Sequence, residues 1–287
     1  GRSTRFWPLT DKMLFPLCGK TLVEHQLERL KEAGLTDVTL VTGAHNKKEL
    51  KKLLPKIPQI EQKELSLGTR GALLSALPQL KSNPVMIVCG NDIVDSSAYR
   101  AVKDALKEEV DGTLLAQKRS TYFTGGYISA KAGRINGIVE KPGVGNEPSK
   151  LVNIEVHAHR DASVLLAALK NIRNAADDGY EQALDALFAT HHYRAVSYNG
   201  LWQPVKYPLH LLGALSIFLS QISEKYIHRT AQIHSSAVIE GPVVIEAGAK
   251  VLAHATIVGP AYIGAHALIA NNALVRLASI ADHCVVG

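Results

Sequence analysis

From Ile227 onward the chain steps in sixes. Aliphatic residues recur at Ile227, Ile233, Ile239, Ile245, Val251, Ile257, Ile263, Ile269 and Val275. Four places after each stands a small residue or Val: Ala231, Ala237, Val243, Ala249, Ala255, Ala261, Ala267, Ala273 and Ser279. Nine matches at one period predict a parallel β-helix. Each six-residue face turns one aliphatic side chain inward and needs a small residue near its corner. Ile280 breaks step, arriving one residue early.

The preceding residues carry different periods. Leu35–Thr42 and Val85–Cys89 read as short buried strands, closed by Gly43 and by Gly90-Asn91-Asp92. A helix over Thr21–Ala33 places Leu22, Val23, Leu27 and Leu30 on one face and charges on the other. Alternating strands and helices imply a largely parallel sheet covered on both sides, whose ligands gather at the carboxyl ends of its strands, where Asp92 falls. From Thr113 the texture turns to extended pieces: Thr113–Gln117, Gly126–Ser129, Arg134–Glu140 and Leu151–His157. Helices over Ala162–Ala175, Gln182–Thr190 and Leu209–Ser220 follow, with a strand Arg194–Tyr198 between the last two. The expected architecture is an α/β domain with a mixed sheet over residues 1–222, then the β-helix over 223–287.

Composition narrows the function classes. With 287 residues the chain can bury a large core plus an appendage. Its formal charge of +6 is spread over Lys47-Lys48, Lys51-Lys52 and isolated sites, which favours small anionic ligands over a nucleic-acid groove. Cys18, Cys89 and Cys284 lie far apart without a CxxC pair, as expected of reduced thiols in the cytoplasm. The most apolar stretch, Leu209–Ile222, falls short of the roughly 20 residues of a membrane span. The chain starts without Met, inside a loop, and stops inside the six-residue pattern, and we expect a fragment cut at both ends.

The chemistry-bearing residues begin at the first position. Gly1-Arg2-Ser3-Thr4-Arg5 offers backbone N–H groups, a small hydroxyl and a guanidinium to anionic oxygens, as a nucleoside triphosphate requires. Lys12 and the helix from Thr21 extend a loop-then-helix reading. Gly1-x-Ser3-Thr4-Arg5-x-x-Pro8-Leu9-Thr10, then Lys12, Pro16 and Gly19-Lys20, resemble the signature of the sugar-1-phosphate nucleotidyltransferases, without the strand that precedes it. Further matches come in that family's order: Gln62, Leu67-Gly68-Thr69 with Gly71-Ala72, Asp92, Gly125-Gly126, Val139-Glu140-Lys141-Pro142, Asn153, and Trp202 with Pro208. With the β-helical tail, the chain is most similar to the bifunctional type that pairs a uridylyltransferase with a glucosamine-1-phosphate acetyltransferase.

The resemblance implies a Rossmann-like, GT-A-like sheet domain followed by a left-handed β-helix. It implies that Arg5 and Lys12 grip the triphosphate and sugar phosphate, and that Asp92 holds Mg²⁺. Gly1, Ser3, Thr4, Gln62, Gly68 and Thr69 would bind the nucleotide, with Gln62 reading a pyrimidine edge. Gly126, Glu140, Lys141 and Asn153 would bind the sugar phosphate, and Lys206 is a further phosphate contact. The partners implied are a nucleoside triphosphate and a sugar 1-phosphate, with neither nucleic acid nor membrane, in a homo-oligomer, a trimer through the β-helix. The reaction implied is Mg²⁺-dependent nucleotidyl transfer with release of pyrophosphate. UTP is the first candidate donor and N-acetylglucosamine 1-phosphate or glucose 1-phosphate the acceptor.

Several positions depart from the family pattern. Pro204 stands two residues after Trp202, where the family has a second acidic metal ligand. Glu155 replaces a usual Gly, Asp11 a usual Pro, and Gly90-Asn91 inverts the common order. These departures keep two alternatives open: a nucleotide-sugar-binding regulatory subunit without turnover, and a mannose-1-phosphate guanylyltransferase. Solvated turns, an Asp92 helix cap and a surface Gln62 are the plainer readings of the same residues. The tail histidines His228, His234, His254, His266 and His283 are read as outward corner residues rather than acetyltransferase bases.

Overall fold

The computed structural model describes residues 3–9, 11–80, 84–173 and 178–287. Contacts divide the chain into two units, one of Gly1–Ser3 and Leu27–Trp202, the other of Thr4–Gln26 and Gln203–Gly287. Gly1 and Ala175, assigned above to the nucleotide loop and to a helix end, lie outside the described residues.

The first unit is built on a six-stranded sheet in the order Val85–Val88, Leu151–His159, Gly112–Lys118, Tyr193–Ser197, Arg134–Glu140 and Gly126–Lys131. Leu151–His159 also pairs with the last strand, Val152 opposite Tyr127. The expectation of a largely parallel sheet is overturned. Among the described residues only Tyr193–Ser197 runs parallel to its neighbour Gly112–Lys118, and the other pairings are antiparallel. One cause is local: Ala132 and Gly133, with φ of 49° and 82°, close a two-residue hairpin between Gly126–Lys131 and Arg134–Glu140. Such a turn can join only antiparallel strands.

Alternation along the strands explains the two cores. Leu115, Val152, Ile154, Val156 and Ala158 join Ala98, Tyr99 and Val102 of the helix Ser96–Ala105 on one face. Leu114, Ala116, Ile128 and Ile138 join Leu165, Leu169, Tyr180 and Leu184 of the helices Ala162–Asn171 and Gly179–Phe188 on the other. A two-residue periodicity with both faces buried leaves no solvated side, as in other covered sheets. Leu40–Thr42 and Gln59–Glu61 form a separate parallel pair. The expected strand from Leu35 shortens because Leu35 N–H caps the preceding helix, Leu22–Glu32, on the Leu30 carbonyl after Gly34.

In the second unit the six-residue period becomes three stacks of short parallel strands, compatible with a β-helix. Tyr226 pairs with Val244, Gln232 with Lys250 and Val238 with Thr256, each eighteen residues on, so one coil holds three faces of six. Tyr262 pairs with Ser279 and Leu268 with Val285, seventeen residues on, which is the missing residue that brings Ile280 early. Ile245, Val251, Ile257, Ile263 and Ile269 fill the interior, with Ala249, Ala255, Ala261 and Ala267 beside them. Ile227, on the first strand, is exposed. His254, His266, Asn272 and His283 stand three places after an inward aliphatic and adopt left-handed φ of 58° to 62°. Asn and His tolerate that region better than most side chains, which accounts for the corner histidines. His228 and His234 instead bond the hydroxyls of Thr230 and Ser236.

Gly259 shows how tightly the coils pack. A Cβ added there would lie 2.1 Å from the Pro242 carbonyl oxygen and 2.8 Å from its carbon, both backbone atoms that cannot swing aside. Gly259→Ala is therefore expected to destabilise this unit by about 1–3 kcal/mol or more, read as a lower urea midpoint. An unchanged midpoint would show that the coils can spread there.

Candidate active site

The N-terminal loop folds as two single 3-10 turns, Thr4–Phe6 and Lys12–Leu14, and a two-stranded ribbon of Pro16–Leu17 with Lys20–Thr21. Phe6 is buried and meets Phe15 edge-on at 6.4 Å, which anchors the loop and leaves Thr4 and Arg5 exposed. Ser3 holds a left-handed φ of 52° and belongs to the first unit. Asp11, in place of the usual Pro, caps the second turn by accepting from Met13 N–H at 2.9 Å.

The loop is followed by a helix, as expected, at Leu22–Glu32. The N-terminus of Leu22–Glu32 is closed by a capping box, not left for a phosphate. Glu24 accepts from Thr21 N–H at 2.8 Å and from the Thr21 hydroxyl at 2.7 Å, and Glu24 N–H reaches back to that hydroxyl. The motif Thr21-Leu22-Val23-Glu24 carried this signal in the sequence.

Lys12 is half-buried and donates from Nζ to the Val205 carbonyl at 3.3 Å, across 193 residues of chain. Val205 precedes Lys206, so the second unit sets Lys12 and the Lys206 turn side by side. That turn is held by His210, whose Nδ1 accepts from Lys206 N–H at 3.0 Å and from Tyr207 N–H at 3.3 Å. Burial, and then the Lys206 charge, push the His210 pKa down, so its ring stays an acceptor there.

In the first unit three groups of assigned residues are brought together. Gln62 is buried, and its amide nitrogen donates to the carbonyls of Glu64 and Gly68, both at 2.9 Å. Both N–H bonds are thus engaged in holding the turn before the helix Gly68–Ala76, on which Thr69 sits half-buried. Gly71 makes room: a Cβ there would lie 2.7 Å from Gln62 Nε2.

Asp92 starts the strand Asp92–Val94 and is buried, with Oδ1 accepting from Trp202 Nε1–H at 3.1 Å. It does not cap the next helix; Asp95 stands at that position. The Arg119 guanidinium lies 4.7 Å over the Trp202 ring and Phe123 packs against it at 4.8 Å. Sequence reading missed the Trp202 bond and Arg119, which no spacing announces. Among the described residues no group of three His, Cys, Asp or Glu could hold a metal ion, and position 204 is Pro. The sequence assigns one carboxylate, Asp92, to Mg²⁺. That fits an ion that keeps several waters and takes other ligands from substrate phosphates.

The third group lies where Gly126–Lys131, Arg134–Glu140 and Leu151–His159 meet. Gly126 pairs with Glu140. A Cβ on Gly126 would lie 3.2 Å from Glu140 Oε2 and 3.4 Å from Asn153 Cβ, so the glycine leaves a niche between them. Glu140 Oε1 meets Lys141 Nζ at 3.1 Å, and Lys141 itself takes a left-handed φ of 47° with its N–H on the Gly125 carbonyl. The niche has a carboxylate oxygen on one side and Asn153 on the other, with the Lys141 cation paired to that carboxylate. Asn153 is backed by buried His157, which sequence reading placed only as a strand end.

Residues 1–205 match the family model for nucleotidyl transferase. A bifunctional sugar-1-phosphate nucleotidylyltransferase/acetyltransferase of Sulfurisphaera tokodaii is 24% identical over 216 residues, covering 74% of this chain and 52% of that protein. The bifunctional protein GlmU of Methanococcus maripaludis is 27% identical over 232 residues, covering 78% and 54%. The chain thus spans about half the length of these curated relatives. Among solved structures, a UDP-glucose pyrophosphorylase complexed with UDP-glucose superposes with a TM-score of 0.66 at 18% identity, over 77% of this chain and 96% of that one, a likeness of fold. No helix among the described residues is long and apolar enough to cross a membrane. With the match running through the loop, the Gln62 turn, Asp92 and the Gly126 niche, the chain belongs to the nucleotidyl transferase family, among its sugar-1-phosphate nucleotidyltransferases of GlmU-like type.

Proposed function

We propose that this chain carries the nucleotidyl-transfer activity of its family, moving a uridylyl group from UTP to N-acetylglucosamine 1-phosphate or glucose 1-phosphate and releasing pyrophosphate. The observation that carries the reading is the niche at Gly126, with Glu140 and Asn153 on its two sides. A sugar needs hydrogen-bond acceptors and donors fixed at close range, and the absent Cβ makes the space. The sugar-phosphate oxygen attacks the α-phosphorus as the bond to the leaving pyrophosphate breaks, so the protein's task is positioning and charge neutralisation. Arg5, Lys12 and Lys206 supply cations for phosphate oxygens, Lys141 stands beside the niche, and Ser3, Thr4 and Thr69 offer hydroxyls. Asp92 would hold Mg²⁺, which when bound neutralises charge on phosphate oxygens.

Gln62 supports the choice of base. With both Nε2 hydrogens engaged by carbonyls, the part of the amide left to read a base is its acceptor, Oε1. An acceptor suits the N3–H of uracil or thymine, or the N1–H of guanine, over cytosine and adenine, whose ring nitrogens there carry no hydrogen. Guanine keeps the mannose-1-phosphate guanylyltransferase reading in view; a mannose-1-phosphate guanyltransferase beta-B of Xenopus laevis is 26% identical over 243 residues, covering 80% of this chain and 65% of that protein. Pro204 favours the other alternative, a nucleotide-sugar sensor. No disulfide joins Cys18, Cys89 or Cys284, in keeping with a cytoplasmic setting. A left-handed β-helix that trimerises is part of the same reading.

Pyrophosphate release is the test, run across UTP, dTTP, GTP, CTP and ATP against glucose, N-acetylglucosamine and mannose 1-phosphates. Turnover highest with UTP supports the proposal, GTP with mannose 1-phosphate replaces it, and nucleotide binding without turnover favours the sensor. Glu140→Ala is expected to raise KM for the sugar phosphate by about 10- to 100-fold, the worth of a charge-assisted hydrogen bond, with nucleotide affinity held. Equal loss of both would move Glu140 out of the sugar niche.

A further inference from the structure

Behind the niche runs a line of buried polar groups that the assigned roles do not use. Asn153, His157 and His159 share one face of the strand Leu151–His159, two residues or multiples of two apart. A register shift between Ile154 and His157 loosens the pairing with Gly112–Lys118 without changing that face. His157 Nε2 meets Asn153 Oδ1 at 2.9 Å, and its Nδ1 meets Tyr180 Oη at 2.8 Å. His159 Nε2 meets the same Tyr180 oxygen at 3.2 Å, and its Nδ1 meets Tyr193 Oη at 2.9 Å. Both imidazoles are wholly buried.

The chemistry of each atom sets a single direction. An amide oxygen only accepts, so His157 Nε2 carries the proton and Nδ1 is a lone pair. Tyr180 must then donate its O–H to His157 and accept from His159 Nε2–H. His159 Nδ1 in turn accepts from Tyr193. Burial pulls both imidazole pKa values down to about 3, with the neighbouring His159 adding to the fall at His157 and the Ile154 carbonyl opposing it. Each ring is thus neutral through the working pH range and keeps one donor and one acceptor.

We propose that Tyr193, His159, Tyr180 and His157 form a one-way hydrogen-bond relay that fixes the Asn153 amide with its NH2 end toward the Gly126 niche, where it acts as a donor opposite the Glu140 acceptor. The relay makes the niche selective for a ring substituent pattern that both donates and accepts, a hydroxyl beside a second hydroxyl or an acyl oxygen. His157, Tyr180, His159 and Tyr193 are positioning residues. The inference rests on the sugar-phosphate reading given above, and its test has an arm that does not need turnover.

In the full chain, long-range ¹⁵N–¹H spectra, assigned with His157→Gln and His159→Gln, should show both rings protonated at Nε2 and bare at Nδ1. Adding N-acetylglucosamine 1-phosphate should shift the Asn153 side-chain NH2 signals. Tyr180→Phe, which breaks the relay at its middle, should raise KM for the sugar phosphate about five- to tenfold and leave KM for UTP unchanged. His157→Gln, which can donate to Asn153, should restore more sugar-phosphate affinity than His157→Phe. Protonation of His157 at Nδ1 would overturn the relay, as would an equal rise of both KM values in Tyr180→Phe. Wild-type protein without turnover would refute the transfer reading alone; the tautomers and the Asn153 signals would then decide the relay.

Discussion

Acidification from pH 6.5 to 4.5 is expected to cost the first unit about 5 kcal/mol of stability, through His157 and His159. Both imidazoles are held at about 3 by burial, against about 6.5 in an unfolded chain. Between those values the unfolded chain binds one more proton per imidazole than the folded one, so stability rises with pH. Their contribution is full above about pH 6.5 and is lost as pH falls toward 3, at roughly 1.4 kcal/mol per pH unit for each ring. Two rings over two units approach the whole stability of a small domain, about 5–15 kcal/mol. Asp104 and Asp161, held below the usual carboxylate range by hydrogen bonds from Lys107 and Ser163, act only below about pH 4 and leave this window to the histidines. Urea midpoints followed from pH 7.5 to 4.5 should fall steeply, and the double variant His157→Gln/His159→Gln should flatten the slope. A parent midpoint that stays level across this range would contradict the burial of neutral imidazoles.

The tail was the most legible part of the chain because its period is local. One aliphatic residue per face and one small residue per corner are visible within six positions, and the early arrival of Ile280 reappears as a coil of seventeen residues rather than eighteen. The sheet was legible as segments but not as an arrangement. Strand direction depends on which segments pair, and Ala132-Gly133 makes a hairpin without the Asn-Gly or Asp-Gly signal that would have announced it. The site residues divide in the same way. Gly126, Glu140 and Asn153 stand in recognisable motifs and meet in one niche where three strands come together. The Gln62 turn, the Trp202–Asp92 bond and the histidine relay were not foreseen, because each joins residues through side-chain chemistry rather than spacing. His157-Ala158-His159 within an apolar strand did carry a signal: two histidines on a buried face need partners, and Tyr180 and Tyr193 were the polar aromatics at hand.

The pair formed by Asp92 and Trp202 bears the other large effect. Trp202 is buried and donates to one carboxylate oxygen of Asp92, which fixes the carboxylate's plane and limits how it can meet an ion. With Pro204 where the family has a second acidic ligand, Asp92 is the carboxylate that the proposal assigns to the ion. Asp92→Asn keeps the size and the Trp202 acceptor but removes the charge. Its turnover is expected to fall by about 10²- to 10³-fold, the loss typical of one preorganised electrostatic contact, and its Mg²⁺ requirement to rise. Trp202→Phe keeps the charge and removes the donor, so its loss should be smaller, about tenfold, the worth of one hydrogen bond to a charged group. Full activity in Asp92→Asn with an unchanged Mg²⁺ requirement would remove the ion from Asp92.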